Sequence, residues 1–153
     1  MADGAEARLA ALGITLPPVF TPVANYLGCK RVGNMLHVGG HGPVGGGGTV
    51  LGKVGGAVSL DEARRAARTT ALSMLATVRQ ALGSLDRVRQ VVKVFGMVNC
   101  APGFNRTPEV IDGCSDLLVE VFGEAGRHTR SAVGLAELPF DIAVEIEMVL
   151  EVE

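Results

Sequence analysis

A chain of 153 residues with a formal charge of −2 (14 Lys and Arg against 16 Asp and Glu) has the length of one domain with a full core, and no basic surface for nucleic acid. Its apolar share is 48%, with one Tyr and no Trp, so an aliphatic, alanine-rich core is expected. Cys29, Cys100 and Cys114 form no close pair, which argues against a disulfide frame or zinc knuckle; with no apolar run of membrane-spanning length and no basic-then-apolar start, the expectation is a soluble cytoplasmic protein with reduced thiols.

In chain order, residues 4–12 read as a short helix that Leu16-Pro17-Pro18 stops. Residues 1–18 are therefore set apart as an N-terminal extension, and 19–153 as a single domain. Tyr26 to Val32 and Met35 to Gly40 flank Gly33-Asn34, which predicts a hairpin. Gly39 to Gly56 is a glycine-rich loop with two motifs that invite a nucleotide. Gly40-His-Gly42-Pro-Val-Gly45 matches a dinucleotide fingerprint, yet Gly45-Gly-Gly-Gly48 follows where a helix must open. Gly47-Gly-Thr-Val-Leu-Gly52-Lys53 resembles a phosphate loop, but Val54 stands where a hydroxyl must bind magnesium. Context fails in both cases.

Ser59-Leu-Asp-Glu62 has the capping-box pattern and opens a helix with Ala67, Ala71, Met74, Leu75, Val78 and Leu82 on one stripe. Val88 to Val98 is a third strand. Asn105-Arg-Thr107 is a glycosylation sequon read here as a helix cap, with Thr107-Pro108 as cap and first turn of a helix that Gly123 ends near Phe122. His37, His41 and His128 lack metal-ligand spacing, and neither a metal nor an organic cofactor is expected.

The last 25 residues, Thr129 to Glu153, read as a hairpin turning at Leu138-Pro139-Phe140-Asp141. From Ile142 to Val152 every even position is apolar, while Glu145, Glu147, Glu151 and Glu153 share the other face. If Ser131, Val133 and Leu135 lie against the same core, Arg130 falls on the face of Glu145 and Glu147, in a pocket fit for a small anion. The plainer reading of that pair is a cross-strand ion pair. The order strand, strand, helix, strand, helix, strand, strand implies an α+β domain, one sheet with two helices on a single face. The other face is too charged for a core and too apolar for water, so self-association is expected to bury it.

Arg130-Ser-Ala-Val, Leu138-Pro139 and Val144-Glu145-Ile146-Glu147, with Tyr26, Gly33-Asn34-Met35 and Gly39-Gly40, resemble the reactive intermediate/imine deaminase family (RidA, YjgF-like) over residues 19–153. The resemblance implies a chorismate-mutase-like fold, homotrimers with clefts between subunits, and a 2-imino or 2-oxo acid as the small-molecule partner. It assigns the substrate carboxylate to Arg130, water activation to Glu145, and lining roles to Tyr26 and a backbone group of Gly40. Two positions depart from the pattern and mark a divergent branch: Asp112 stands where an asparagine is frequent, and Ala132 where a cysteine is frequent and contributes through its backbone.

A 2-imino carboxylate already carries an electrophilic carbon, so its hydrolysis needs positioning and one proton-transfer group. Arg130 suits the first task through its bidentate fork, and Glu145 beside Glu147 the second through a raised pKa. The resemblance thus implies an enamine/imine deaminase of the 2-iminobutanoate/2-iminopropanoate type. The alternatives are a non-catalytic trimer that binds small carboxylates or regulates a partner, and an endoribonuclease, which the acidic balance disfavours.

Overall fold

The structure, a computed structural model, describes residues 3–44 and 49–153. Helix α1 (Ala5–Ala11) precedes the hairpin of β1 (Cys29–Val32) and β2 (Met35–His41), then α2 (Leu60–Leu82), β3 (Val88–Asn99), α3 (Thr107–Phe122), β4 (Thr129–Leu135) and β5 (Val144–Val152). The strands form one sheet in the order β1-β2-β5-β3-β4, in which only β3 and β4 run parallel. The expected α+β class and the β-β-α-β-α-β-β order hold. Glycines 45–48, and with them part of both nucleotide-like motifs, lie outside the described residues.

Local chemistry sets most elements. The hairpin turns on Gly33 at φ 60°, the left-handed value a two-residue turn requires at its first central position. At the start of α2 the Glu62 N–H donates to Ser59 Oγ (3.1 Å) and the Ser59 N–H to Glu62 Oε2 (2.8 Å), so two otherwise orphaned donors are satisfied reciprocally. The predicted stripe of α2 is buried throughout. It packs with α3 over Ile146, Met148, Leu150, Val94 and Val98. Ala5 and Leu9 of α1 and Leu16 after it join the same core.

Two local readings are corrected. Thr107 does not cap α3: Arg106 occupies the cap position without a side-chain bond, and the Thr107 hydroxyl donates to the Ala132 carbonyl (3.0 Å), tying the helix start to β4. The sequon is therefore no cap either.

The larger correction concerns the C-terminal pair. β4 and β5 are not a hairpin, because β3 lies between them. The segment after β4 crosses the end of β3 and is pinned there by buried Asn99. Asn99 Nδ2 donates to Asp141 Oδ1 (2.9 Å) and the Ile142 carbonyl (3.1 Å), and Lys53 Nζ donates to Asn99 Oδ1 (2.9 Å). Phe140 and Asp141 accept left-handed backbone (φ 55° and 61°) in this crossing. The phase of β4 is reversed as well. Arg130 pairs with Val94, and Val94 with Met148, so Arg130 faces the helices; Val133 pairs with Met97, and Met97 with Glu145, so Val133 lies on the open face. The reason is packing against α3. Small residues are needed beneath that helix, and Gly96 and Ala132 supply them side by side: a Cβ on Gly96 would lie 2.5 Å from Ile111 Cγ1.

Candidate functional site

The expected site residues fall into two groups on opposite sides of the sheet. Arg130, Asp112 and Ala132 belong to the helix side. Glu145, Gly40 and Tyr26 belong to the open side.

On the helix side, Arg130 Nη1 donates to Asp112 Oδ1 (2.8 Å) and to Ser115 Oγ (3.2 Å). Asp112 and Ser115 are three apart on α3 and so share a face. Behind them stands His128. Its Nδ1 lies 2.6 Å from the Gly126 carbonyl, which accepts only, so Nδ1 carries the proton and Nε2 accepts the Ser115 hydroxyl at 2.9 Å. Burial lowers the pKa of His128 and the Arg130 charge adds to this, against the Gly126 carbonyl, which keeps the ring neutral near pH 7. The chain of donors therefore runs Arg130 to Ser115 to His128 to Gly126. Among the described residues, Nε and Nη2 of Arg130 meet no acceptor. Both bonds fall on Nη1, and the side chain is 23% exposed. Ala132 packs beneath α3 with its carbonyl on Thr107.

On the open side, Glu145 lies over the backbone of Gly40. A Cβ at Gly40 would stand 3.1 Å from the Glu145 carboxyl carbon, so only glycine leaves the carboxylate in place. Gly40 belongs to an irregularity of β2 between Val38 and His41. Buried His41 anchors it: Nδ1–H donates to the Gly39 carbonyl (2.8 Å) and the Thr77 hydroxyl donates to Nε2 (2.9 Å). Glu145 accepts no hydrogen bond from the described residues. Its pKa is raised, first by burial and then by the Glu147 charge, in the direction that suits a proton-transfer group. Tyr26, half exposed just before β1, lines a cavity of about 650 Å³ on this same face with Gly39, Phe95 and Glu147.

Within one chain, then, Arg130 and Glu145 are separated by the sheet, contrary to the shared face expected from sequence. Ser115 and His128 were missed. Their signal was present in the spacing, Ser115 three residues after Asp112 and His128 two before Arg130, but it means something only once α3 is known to cover β4. No group of three or more metal-ligating side chains occurs among the described residues, and no helix there is long and apolar enough to cross a membrane.

A mixed five-stranded sheet backed by helices is shared with solved proteins of several organisms. The family model described as "YjgF/chorismate_mutase-like, putative endoribonuclease" matches residues 6–150, and this chain belongs to that family. Protein TCP17 of Trypanosoma cruzi is 44% identical over 147 residues, covering 95% of this chain and 92% of that protein. The solved protein Atu1372 of Agrobacterium tumefaciens, described as of unknown function, is 43% identical with a TM-score of 0.90, covering 99% of this chain and 94% of that one. The YjgF gene product of E. coli, 24% identical over 88% of this chain and 92% of its own, shares the fold at a TM-score of 0.60.

Proposed function

We propose that this chain is an enamine/imine deaminase, which hydrolyses reactive 2-imino and enamine carboxylates to 2-oxo acids and ammonia. The observation that carries the reading is the divided guanidinium of Arg130. Asp112 and Ser115 immobilise one edge, and the free Nε/Nη2 edge has the geometry of a bidentate carboxylate anchor. Because Glu145 lies across the sheet, catalysis by this pair requires two copies of the chain. The assembly proposed is a homotrimer in which Arg130, Asp112 and Ala132 of one subunit face Glu145, Gly40 and Tyr26 of the next. The exposed apolar residues Tyr26, Leu27 and Val32 (51%, 67% and 60%), with Val133 on the open side of edge strand β4, support burial of the open face between copies; Arg130, on the helix side of that same edge strand, would meet the next subunit across the sheet edge.

In the reaction, a water attacks the imine carbon while Glu145 takes its proton. Glu145 then returns that proton to the carbinolamine nitrogen, the C–N bond breaks to release ammonia, and the hydroxyl proton passes to Glu145 as the carbonyl forms. Every group required is a side chain of this protein, and the acid–base assistance is worth about 10²–10⁴-fold. The residue-19 boundary of the catalytic domain, with residues 1–18 as an extension, and a cytoplasmic location belong to the same proposal.

A non-catalytic trimer that binds small carboxylates or regulates a partner is the second reading; the Asp112–Arg130 ion pair, which neutralises much of the guanidinium's charge, counts against tight anion binding in either reading. A solved relative from Shewanella oneidensis, 33% identical, is described as "a putative endoribonuclease"; the net charge of −2 gives that activity no support here. The test is ammonia release from 2-iminobutanoate generated in place by an amino-acid-deaminating enzyme, with molar mass measured by light scattering. Acceleration that depends on Arg130 supports the deaminase; binding of a 2-oxo acid without acceleration supports the second reading; a monomer at micromolar concentration removes the shared site.

A further inference from the structure

We infer that Asp112 makes the Arg130 anchor selective for zwitterions, so that the site prefers a carboxylate carrying a protonated nitrogen on its neighbouring carbon over the corresponding 2-oxo acid. The inference rests on the deaminase reading's use of Arg130 as a carboxylate anchor, and adds a specificity role to a residue whose charge otherwise works against that anchor.

The argument begins with the local charge. Asp112 and Arg130 form an ion pair at 2.8 Å, and burial and Arg130 keep the adjacent His128 neutral. Cys114, buried between them in sequence, has its thiol pKa pushed up to about 12 and carries no charge either. Of the other charges of α3, Glu109 pairs with Arg64 and Arg106 and Glu120 with Arg68, while Asp116, exposed one turn beyond Asp112, pairs with no cation among the described residues. The ion pair itself is therefore neutral, Asp116 adds a negative charge one turn away, and a ligand meets no cationic patch. A simple anion approaching Arg130 gains the attraction of the guanidinium and meets the repulsion of Asp112.

Hydrogen-bond capacity points the same way. Nη1 is saturated by Asp112 Oδ1 and Ser115, so a carboxylate can dock only on the Nε/Nη2 edge, in one orientation. Asp112 Oδ1 is bound to Arg130, whereas Oδ2 accepts nothing from the described residues, and the side chain is 43% exposed. A carboxylate acceptor with free lone pairs, beside a docked carboxylate, calls for a donor on the ligand. The nitrogen of a protonated imine, R–C(=NH₂⁺)–COO⁻, or of an ammonium group supplies one. The carbonyl oxygen of a 2-oxo acid is an acceptor and faces Asp112 unfavourably. Asparagine at this place would offer an amide able to turn either its oxygen or its nitrogen to the ligand, and would lose the discrimination.

A hydrogen bond to a charged partner is worth about 1.5–3 kcal/mol, which corresponds to a preference of roughly 10- to 100-fold. For a deaminase the consequence is release of the neutral-headed product as soon as the nitrogen has left.

Competition calorimetry with L-2-aminobutanoate, an unreactive zwitterion, and 2-oxobutanoate tests this. The native protein should bind the amino acid about 10- to 100-fold more tightly, and Asp112→Asn should bring the two affinities together or invert them. Asp112→Ser, which removes both the charge and the bulk, should act in the same direction if the asparagine variant folds poorly. A native protein that prefers 2-oxobutanoate, or a ratio unmoved in both variants, overturns the selectivity while leaving the anchor intact. Failure of both ligands to bind, or binding unaffected by Arg130→Ala, overturns the anchor and the deaminase reading together.

Discussion

Arg130 and Glu145, the two charged residues with the strongest functional signal, are held in opposite ways. Arg130 is bracketed by Asp112 and Ser115, with His128 and a main-chain carbonyl behind them, on the side of the sheet that the helices cover. Glu145 rests on bare backbone at Gly40, accepts nothing from the described residues, and shares its face with a second carboxylate. A network fixes the first group's direction, while desolvation and a like charge shift the second group's proton affinity. In the proposed reaction, binding needs a rigid fork and proton transfer a carboxylate whose pKa is raised. The two environments differ as those tasks do.

The comparison can be broken most severely at Arg130. Arg130→Ala is expected to abolish turnover of 2-iminobutanoate without unfolding the protein, and Arg130→Lys to recover little, because a point charge replaces the fork. Near-normal turnover in a folded Arg130→Ala protein ends the mechanism proposed here. A large loss of melting temperature, with activity following the folded fraction, would mark Arg130 as an ion-pair residue only.

Glu145→Gln is expected to lower kcat by about 10²–10⁴-fold with little change in 2-oxobutanoate affinity. It also carries a stability signature. The folded pKa of Glu145 lies above its unfolded value, so its contribution is favourable below the unfolded value and is lost as pH rises through the folded one. Glu145→Gln should therefore raise the melting temperature at neutral pH, and the gain should vanish in acid. Gly40→Ala tests the support beneath Glu145. Its Cβ would press on the carboxyl carbon at 3.1 Å, and turnover should fall by less than in Glu145→Gln, with Arg130-dependent binding retained.

The smallest effect expected is on the histidines. His41 and His128 both have lowered pKa values, burial being the first cause in each. Unfolded chains then take up protons first as the pH drops, so stability present above the ordinary imidazole pKa of about 6.5 declines as pH falls below it. Denaturant midpoints compared at about pH 7.5 and about pH 5.5 should show that decline, and His128→Asn should lessen it. Midpoints that do not move would place both rings in a more solvated setting than the one described.

Much of the fold was legible in the residues. Period-two alternation in β5, the Ser59/Glu62 box, the apolar stripe of α2 and the Gly33-Asn34 turn are interactions among near neighbours in the chain, and each forms as read. The raised pKa of Glu145 was legible only in its smaller cause, the Glu147 charge two residues away on the same face; burial, the larger cause, comes from the fold. The pairing of β4 was not legible. Alternation states that Arg130 and Val133 lie on opposite faces, and they do. It does not state which of those faces the core takes.

That choice was made by contacts between residues far apart in sequence: Gly96 and Ala132 accommodating Ile111, the Thr107 hydroxyl on the Ala132 carbonyl, and Asn99 pinning the crossing that carries the chain past β3. A strand has two faces related by a shift of one residue, and on an edge strand with a weak apolar pattern the helix that packs against it decides between them. The amino-acid sequence by itself determined the elements, their order and the chemistry available. Tertiary packing alone decided that Arg130 turns toward α3, where Asp112, Ser115 and His128 hold it, and away from the glutamates it was expected to join.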